Sequence, residues 1–175
     1  MTRTFAAIPA MALALSGCTT IGQIPNTNLA IGTLRSADGA PAGTVVLIAA
    51  GDHVTVNVAV IGLPPGTHGL HLHMVGSCVA PGFTSAGGHL NPHGLQHGTA
   101  NPAGSHLGDL PNLVADSYGA GTVTAKLRDG RAAVVAALFD TDGTAIVVHA
   151  NPDDNQTDPS GNSGARIACG VLKRN

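Results

Sequence analysis

The strongest constraint on this chain is a series of histidines that must meet in space although they are spread from residue 71 to residue 149. They are His71 and His73 in His68-Gly-Leu-His71-Leu-His73, His89 in Gly87-Gly88-His89-Leu, then His97, His106 and Asp109 in His106-Leu-Gly-Asp109, and His149 closing Val147-Val148-His149. The chain has nine histidines but only three Phe, one Tyr and no Trp. Imidazole is the commonest metal ligand, and a lone carboxylate among imidazoles suits a borderline divalent ion. The series therefore reads as a two-metal site, and any fold this chain adopts has to assemble it.

Spacing says how. His71 and His73 are two apart in a segment that reads as a strand, so both project from one face and form a two-nitrogen chelate on a rigid platform. His68 is out of phase with them and is expected on the other face, as a hydrogen-bonded core histidine. His149 ends Thr144-Ala-Ile-Val-Val148, a second β-branched strand that can bring a third imidazole to the pair. The stretch from His89 to Asp109 is rich in Gly, Pro and Asn, which marks a loop with its own ligand set. Three histidines and one aspartate match a closed, four-coordinate zinc site.

The remainder reads as all-β. Strand signals are Thr44-Val-Val-Leu-Ile48, the alternation Val54-Thr-Val-Asn-Val-Ala-Val60, Gly121-Thr-Val-Thr124 and Ala132-Ala-Val-Val135. Turn clusters separate them at Ala37-Asp-Gly39, Pro64-Pro-Gly66, Asp129-Gly130 and Asp142-Gly143. No amphipathic helical stretch longer than a turn or two competes, and no repeat is present. The expected architecture is an antiparallel sandwich or flattened Greek-key barrel. Two long loops, about residues 75–115 and 150–165, are expected to be functional, because loops of that length in a compact domain usually bind something.

With these motifs in place, the chain resembles the copper-zinc superoxide dismutases, particularly their bacterial exported branch, over roughly Leu29 to Leu172. The resemblance implies an eight-stranded antiparallel Greek-key barrel of immunoglobulin-like sandwich type. It implies copper on His71, His73, His89 and His149, and zinc on His89, His97, His106 and Asp109, with His89 bridging the two. Asp153 falls where the family has a carboxylate hydrogen-bonded to ligand histidines of both metals, a contact that fixes ring orientation and tautomer. Arg166, in Gly164-Ala-Arg-Ile-Ala-Cys169, matches the guanidinium that holds the superoxide anion. The implied reaction is dismutation of superoxide to dioxygen and hydrogen peroxide, with copper as the redox ion, zinc as its structural partner and His89 supplying a proton. The competing class is a non-catalytic copper- or zinc-binding lipoprotein, which would need the ligands but not Arg166.

The N-terminus points to export. Arg3 precedes an apolar stretch from Phe5 to Leu15, too short to span a bilayer stably, which reads as a signal peptide over residues 1–17. Leu15-Ser-Gly-Cys18 resembles the bacterial lipobox, implying cleavage before Cys18, lipidation of its sulfur and anchoring to a cell-envelope membrane, with a second acyl chain for stability. Residues 18–28 would be a tether and 29–175 the dismutase domain. Cys78 and Cys169 then remain, and an exported protein is expected to join them, as the family does. That bond would close a long loop, a stabilisation of about 4–5 kcal/mol in the chain-entropy picture.

Formal net charge is −2 and no basic run exists, so nucleic acid is not an expected partner. The resemblance is compatible with a monomer or a homodimer. Three departures stand out. No Lys or Arg occurs between Ser36 and Ala125, and the second long loop carries Asp153, Asp154 and Asp158, so electrostatic steering of superoxide is expected to be weaker than in lysine-rimmed relatives. Leu70 and Met74 stand where relatives often have an aromatic and an acidic residue. His53 and His93 match no family ligand and read as solvated edge or loop histidines.

Overall fold

The computed structural model describes Met1 and residues 26–175. The expected signal peptide and the lipidation site Cys18 lie outside the described residues, as does most of the expected tether. The first strand includes Thr27 and Asn28.

The long strands are β1 (Thr27–Ser36), β2 (Pro41–Ala50) and β3 (His53–Val60). Then come the short β4 (Gly66–His68) and β5 (Leu70–His73), followed after a long loop by β6 (Leu113–Ala115) and β7 (Gly121–Lys126). A helix α1 (Arg131–Leu138), β8 (Ala145–His149), β9 (Arg166–Val171) and β10 (Lys173–Arg174) complete the chain. The main sheet is antiparallel, eight-stranded and curled, in the order β5-β8-β9-β1-β2-β3-β7, with β10 alongside β1. β4 and β6 form a separate two-stranded ribbon. The chain thus runs a β1-β2-β3 meander, leaves the sheet, and returns with β7 beside β3 and β9 beside β1, which is Greek-key connectivity.

In β2 and β3 burial alternates as the sequence does. Val45, Leu47 and Ala49 face Val54, Val56 and Val58 in the interior, while the intervening residues face outward. β5 and β8 differ, being buried on both faces. One face of this pair presents Leu70, Leu72, Ile146 and Val148 to the main core. The other carries Ala145 and Val147, which pack with Phe83, Ala86 and the Cys78–Cys169 disulfide in a second cluster. That second face is also where His71 and His73 point, so the long loop is a layer of the core rather than a surface excursion.

One strand expectation is overturned. Ala132-Ala-Val-Val135 is not a strand but the centre of α1. Alanine is the best helix former and supplies four of the eight residues, while Val134 and Leu138, four apart, form the buried stripe. The helix start is fixed from outside the segment, since the Arg131 N–H donates to the Asp52 carbonyl at 2.9 Å and to Asp52 Oδ1 at 3.1 Å. Two β-branched residues do not outweigh that combination.

Candidate metal centre

The site is assembled by zipping loop backbone onto the free edge of β5. On one side β5 pairs with β8, setting His71 opposite Val147 and His73 opposite Ala145. On the other side the Leu72 N–H donates to Gly108 O at 2.9 Å, and the Leu90 N–H to Leu72 O at 2.8 Å. The Leu110 N–H donates to Leu70 O at 3.3 Å. These bonds bring His89 opposite His73 and Asp109 opposite His71. Leu90, Leu107 and Leu110 are buried and lock the loop by apolar packing.

Six imidazoles and one carboxylate meet there. His71, His73, His89 and His149 have nitrogen atoms that all lie within 4.8 Å of one another, and so do His71, His89 and His97 with a carboxylate oxygen of Asp109. In the first group each ring has one nitrogen committed to an oxygen and one left over. His73 Nδ1 faces Gly87 O at 3.0 Å, His149 Nδ1 faces Gly164 O at 3.2 Å, and His71 Nε2 faces Asp153 Oδ2 at 2.7 Å. His71 Nδ1, His73 Nε2, His89 Nε2 and His149 Nε2 are buried with no hydrogen-bond partner. A buried polar atom without a partner costs about 1–3 kcal/mol. Four such atoms on adjoining rings are therefore a site shaped for something that binds nitrogen lone pairs.

The second group converges on a single oxygen. Asp109 Oδ1 lies 3.1 Å from His89 Nδ1, 3.0 Å from His97 Nδ1 and 3.2 Å from His106 Nδ1. His106 Nδ1 is 3.3 Å from His89 Nδ1. Zinc–nitrogen and zinc–oxygen bonds are about 2.0–2.2 Å, so the edges of a zinc tetrahedron are about 3.3–3.6 Å, close to these separations. The outer atoms are held too, since His106 Nε2 faces Leu95 O at 3.1 Å and Asp109 Oδ2 accepts the Gly98 and His106 N–H groups at 2.9 and 3.0 Å.

Asp153 joins the two groups. Its Oδ2 faces His71 Nε2 at 2.7 Å, and its Oδ1 faces His97 Nε2 at 2.9 Å and accepts the Asn155 N–H at 2.6 Å. Asn112 clamps its backbone, donating from Nδ2 to Asp153 O and accepting the Asp153 N–H at Oδ1, both at 2.8 Å. Gly161, at φ 61°, leaves the space the carboxylate occupies, because a methyl group there would overlap Asp153 Oδ1 and crowd His97 Nε2. Nothing in the sequence marks Asn112 or Gly161 for this task, since both act on a residue remote from them in the chain.

The electrostatics follow the geometry. Burial pushes His73 down to about 2, His149 to about 3 and His89 to about 4, and lowers His71 as well. These rings are thus neutral, the form that ligates metal. His97 is the exception. Burial opposes its charge, but hydrogen bonds to Asp109 and Asp153 outweigh burial and lift it to about 9. Burial alone would also raise both carboxyls, yet Asp109, held by His89, His97 and the Gly98 N–H, stays below the usual carboxylate range. Asp153, held by His71 and His97, does the same.

Arg166 stands at the start of β9, paired with His149, at the edge of a cleft of about 520 Å³ that His73, His89, His149 and Met74 also line. Its Nη1 donates to Phe83 O and its Nη2 to Gly87 O, both at 2.7 Å. Sequence gives no hint of these two carbonyl anchors. The Cys78–Cys169 disulfide ties the loop bearing Phe83 to β9, three residues beyond the arginine. Of the histidines not assigned as ligands, His68 is buried with its ring nitrogens 2.8 Å from His149 O and from Pro64 O. His93 is half exposed, 2.8 Å from Asp129 Oδ2, and His53 is exposed at the start of β3.

Comparison with known proteins agrees with this geometry. A superoxide dismutase [Cu-Zn] of Caulobacter vibrioides is 43% identical over 152 residues, covering 82% of this chain and 85% of its own. Among solved structures, a SOD-like protein from Bacillus subtilis superposes with a TM-score of 0.77 at 36% identity, covering 84% of this chain and all of that one. The Cu/Zn superoxide dismutase from Brucella abortus gives 0.66 at 28% identity, covering 85% of this chain and all of that one. The family profile described as copper/zinc superoxide dismutase (SODC) matches residues 41–172, from β2 through β9 and with them every residue of this candidate site. On fold, site and sequence together, the chain belongs to the copper/zinc superoxide dismutase family.

Proposed function

We propose that this chain dismutates superoxide, with copper held by His71 Nδ1, His73 Nε2, His89 Nε2 and His149 Nε2. Zinc would be held by His89 Nδ1, His97 Nδ1, His106 Nδ1 and Asp109 Oδ1. The observation that carries this reading is the set of four buried, unpartnered nitrogens, which are the copper donors. His71 lies close to both groups, but its Nε2 is engaged by Asp153, leaving one nitrogen for the copper side, so His106 completes the zinc set. Bound there, copper supplies one-electron exchange with superoxide, and zinc supplies a redox-inert positive charge.

The chain's own residues do the rest. Arg166 receives the anion. A guanidinium has five N–H donors, and the two hydrogen bonds to Phe83 O and Gly87 O leave others to face the cleft. Because Gly87 O also accepts from His73 Nδ1, arginine and ligand ring are positioned by one carbonyl and move together. His89 is the proton carrier, at Nε2, which would hold either the proton or copper and not both at once. Its Nδ1 is engaged on the Asp109 side, so a proton exchanged with substrate is held on the nitrogen facing the cleft. Two superoxide anions and two protons give one dioxygen and one hydrogen peroxide. Asp153 accepts from Nε2–H of His71 and of His97, and so turns each Nδ1 toward the metal side.

The second reading, a metal-binding lipoprotein without catalysis, is disfavoured by Arg166, which a storage site does not need. The deciding measurement is superoxide loss by the copper- and zinc-loaded chain. Loss no faster than with the metal-free chain would sink the proposal. Export and anchoring belong to the same reading, with residues 1–17 a signal peptide, Cys18 lipidated, 18–28 a tether and 29–175 the catalytic domain. Labelling with a fatty-acid analogue should mark the wild type and not Cys18→Ser, and an unlabelled wild type would remove the anchor.

A further inference from the structure

Met74 is the one methionine beyond residue 11. It follows the ligand strand directly, lines the cleft with His73, His89, His149 and Arg166, and is 48% exposed. An apolar side chain so exposed beside the reacting site is out of place on packing grounds. Its backbone N–H donates to Gly88 O at 3.0 Å, and its side chain lies across the Gly87-Gly88 backbone. A methyl placed on Gly87 would come within 3.0 Å of Met74 Cγ and 3.7 Å of Sδ, and one on Gly88 within 3.8 Å of Sδ. The thioether thus rests on a surface that has no side chain of its own. That surface is the peptide whose carbonyl holds both His73 Nδ1 and Arg166 Nη2.

We propose that Met74 is an oxidation site for the hydrogen peroxide formed in this cleft, and that its sulfoxide slows the enzyme. The idea rests on the dismutase reading for the source of peroxide, though not for the chemistry. A sulfur lone pair attacks one peroxide oxygen, the O–O bond breaks, and the departing hydroxide takes up the proton that the transferred oxygen gives up, leaving the sulfoxide and water. Sulfur is oxidised by two electrons and peroxide is reduced by two. The product exchanges a flexible apolar group for a polar, chiral one. Its oxygen adds bulk against Gly87-Gly88 and places a negative dipole end beside the path of an anion bound for Arg166. Accumulating peroxide would thereby limit the activity that makes it, and methionine sulfoxide reductases would reverse the effect.

The test begins with the metal-free full chain, so that peroxide chemistry at copper cannot damage the ligands. The protein is treated with hydrogen peroxide alongside a free methionine derivative, peroxide is removed, and the Met74 peptide is weighed before copper and zinc are restored. Expected is a gain of about 16 Da, one oxygen, on that peptide at a rate comparable to the free derivative. Superoxide consumption should then fall in proportion to the oxygenated fraction and recover after sulfoxide reductase treatment. Met74→Leu should retain its own starting activity through the same treatment. A Met74 peptide that stays unoxidised while the free derivative reacts overturns the proposal. So does full oxygenation without loss of activity, or an equal loss in Met74→Leu. A chain inactive before any peroxide treatment would instead count against the dismutase reading, and the mass shift would still decide whether Met74 is an oxidation site.

Discussion

Replacing Asp153 by Asn should weaken copper binding and largely spare zinc, although the carboxylate touches a ring from each metal group. Asp153 Oδ1 serves two donors, His97 Nε2 at 2.9 Å and the Asn155 N–H at 2.6 Å, whereas Oδ2 serves only His71 Nε2 at 2.7 Å. An asparagine has one acceptor oxygen and one donor amide group. The oxygen will take the position that satisfies two donors, so the NH2 group comes to face His71. Two donors cannot meet at 2.7 Å, so His71 must move its proton to Nδ1, the buried, unpartnered nitrogen proposed to hold copper. Loss of such an outer contact lowers metal affinity by about 10- to 100-fold, or about 1.4–2.7 kcal/mol. Competition of copper and of zinc against chelators of known affinity, in wild type and Asp153→Asn, reads both numbers. Zinc weakened as much as copper, or copper unchanged, would refute the tautomer argument.

Arg166→Ala should leave both metal contents intact and lower kcat/KM by about tenfold or more, a barrier increase of about 1.4 kcal/mol, checked by metal analysis and superoxide consumption on one sample. Asp109→Ala should lose zinc and, by leaving the charged His97 ring with Asp153 alone, lower the stability of the metal-free protein by roughly 1.5–3 kcal/mol in denaturant titration. The His97 value of about 9 lies above the ordinary imidazole value. Its contribution to metal-free stability is therefore complete below about pH 6.5 and lost as pH rises through about 9. Zinc binding near pH 7.5 should accordingly expel about one proton, read calorimetrically in buffers of different ionisation enthalpy, and a buffer-independent heat would contradict it. Removing the disulfide with Cys169→Ser should lower stability by up to about 4–5 kcal/mol and slow turnover at unchanged metal content, because the loop holding Phe83 O against Arg166 is released.

Much of this centre is legible in the sequence because period and composition carry it. The two-residue spacing of His71 and His73 fixes a common face in any strand, and the Gly- and Pro-rich stretch between His89 and Asp109 cannot be regular structure. Pattern placed β2, β3, β7 and β8 for the same reason. It failed at Ala132–Val135, where helix and strand propensities are close and a cap from Asp52 decided the outcome. Family resemblance pointed to Asp153 and Arg166, which no spacing rule would have selected. Only the tertiary structure decided which nitrogen of each ring is left free. That choice is made by oxygens from remote segments: Gly87 O for His73, Gly164 O for His149, Leu95 O for His106 and the Asp153 carboxylate for His71 and His97. A side chain's face follows from its position along its own strand. Its tautomer and the direction of its lone pair follow from what the rest of the chain places behind it.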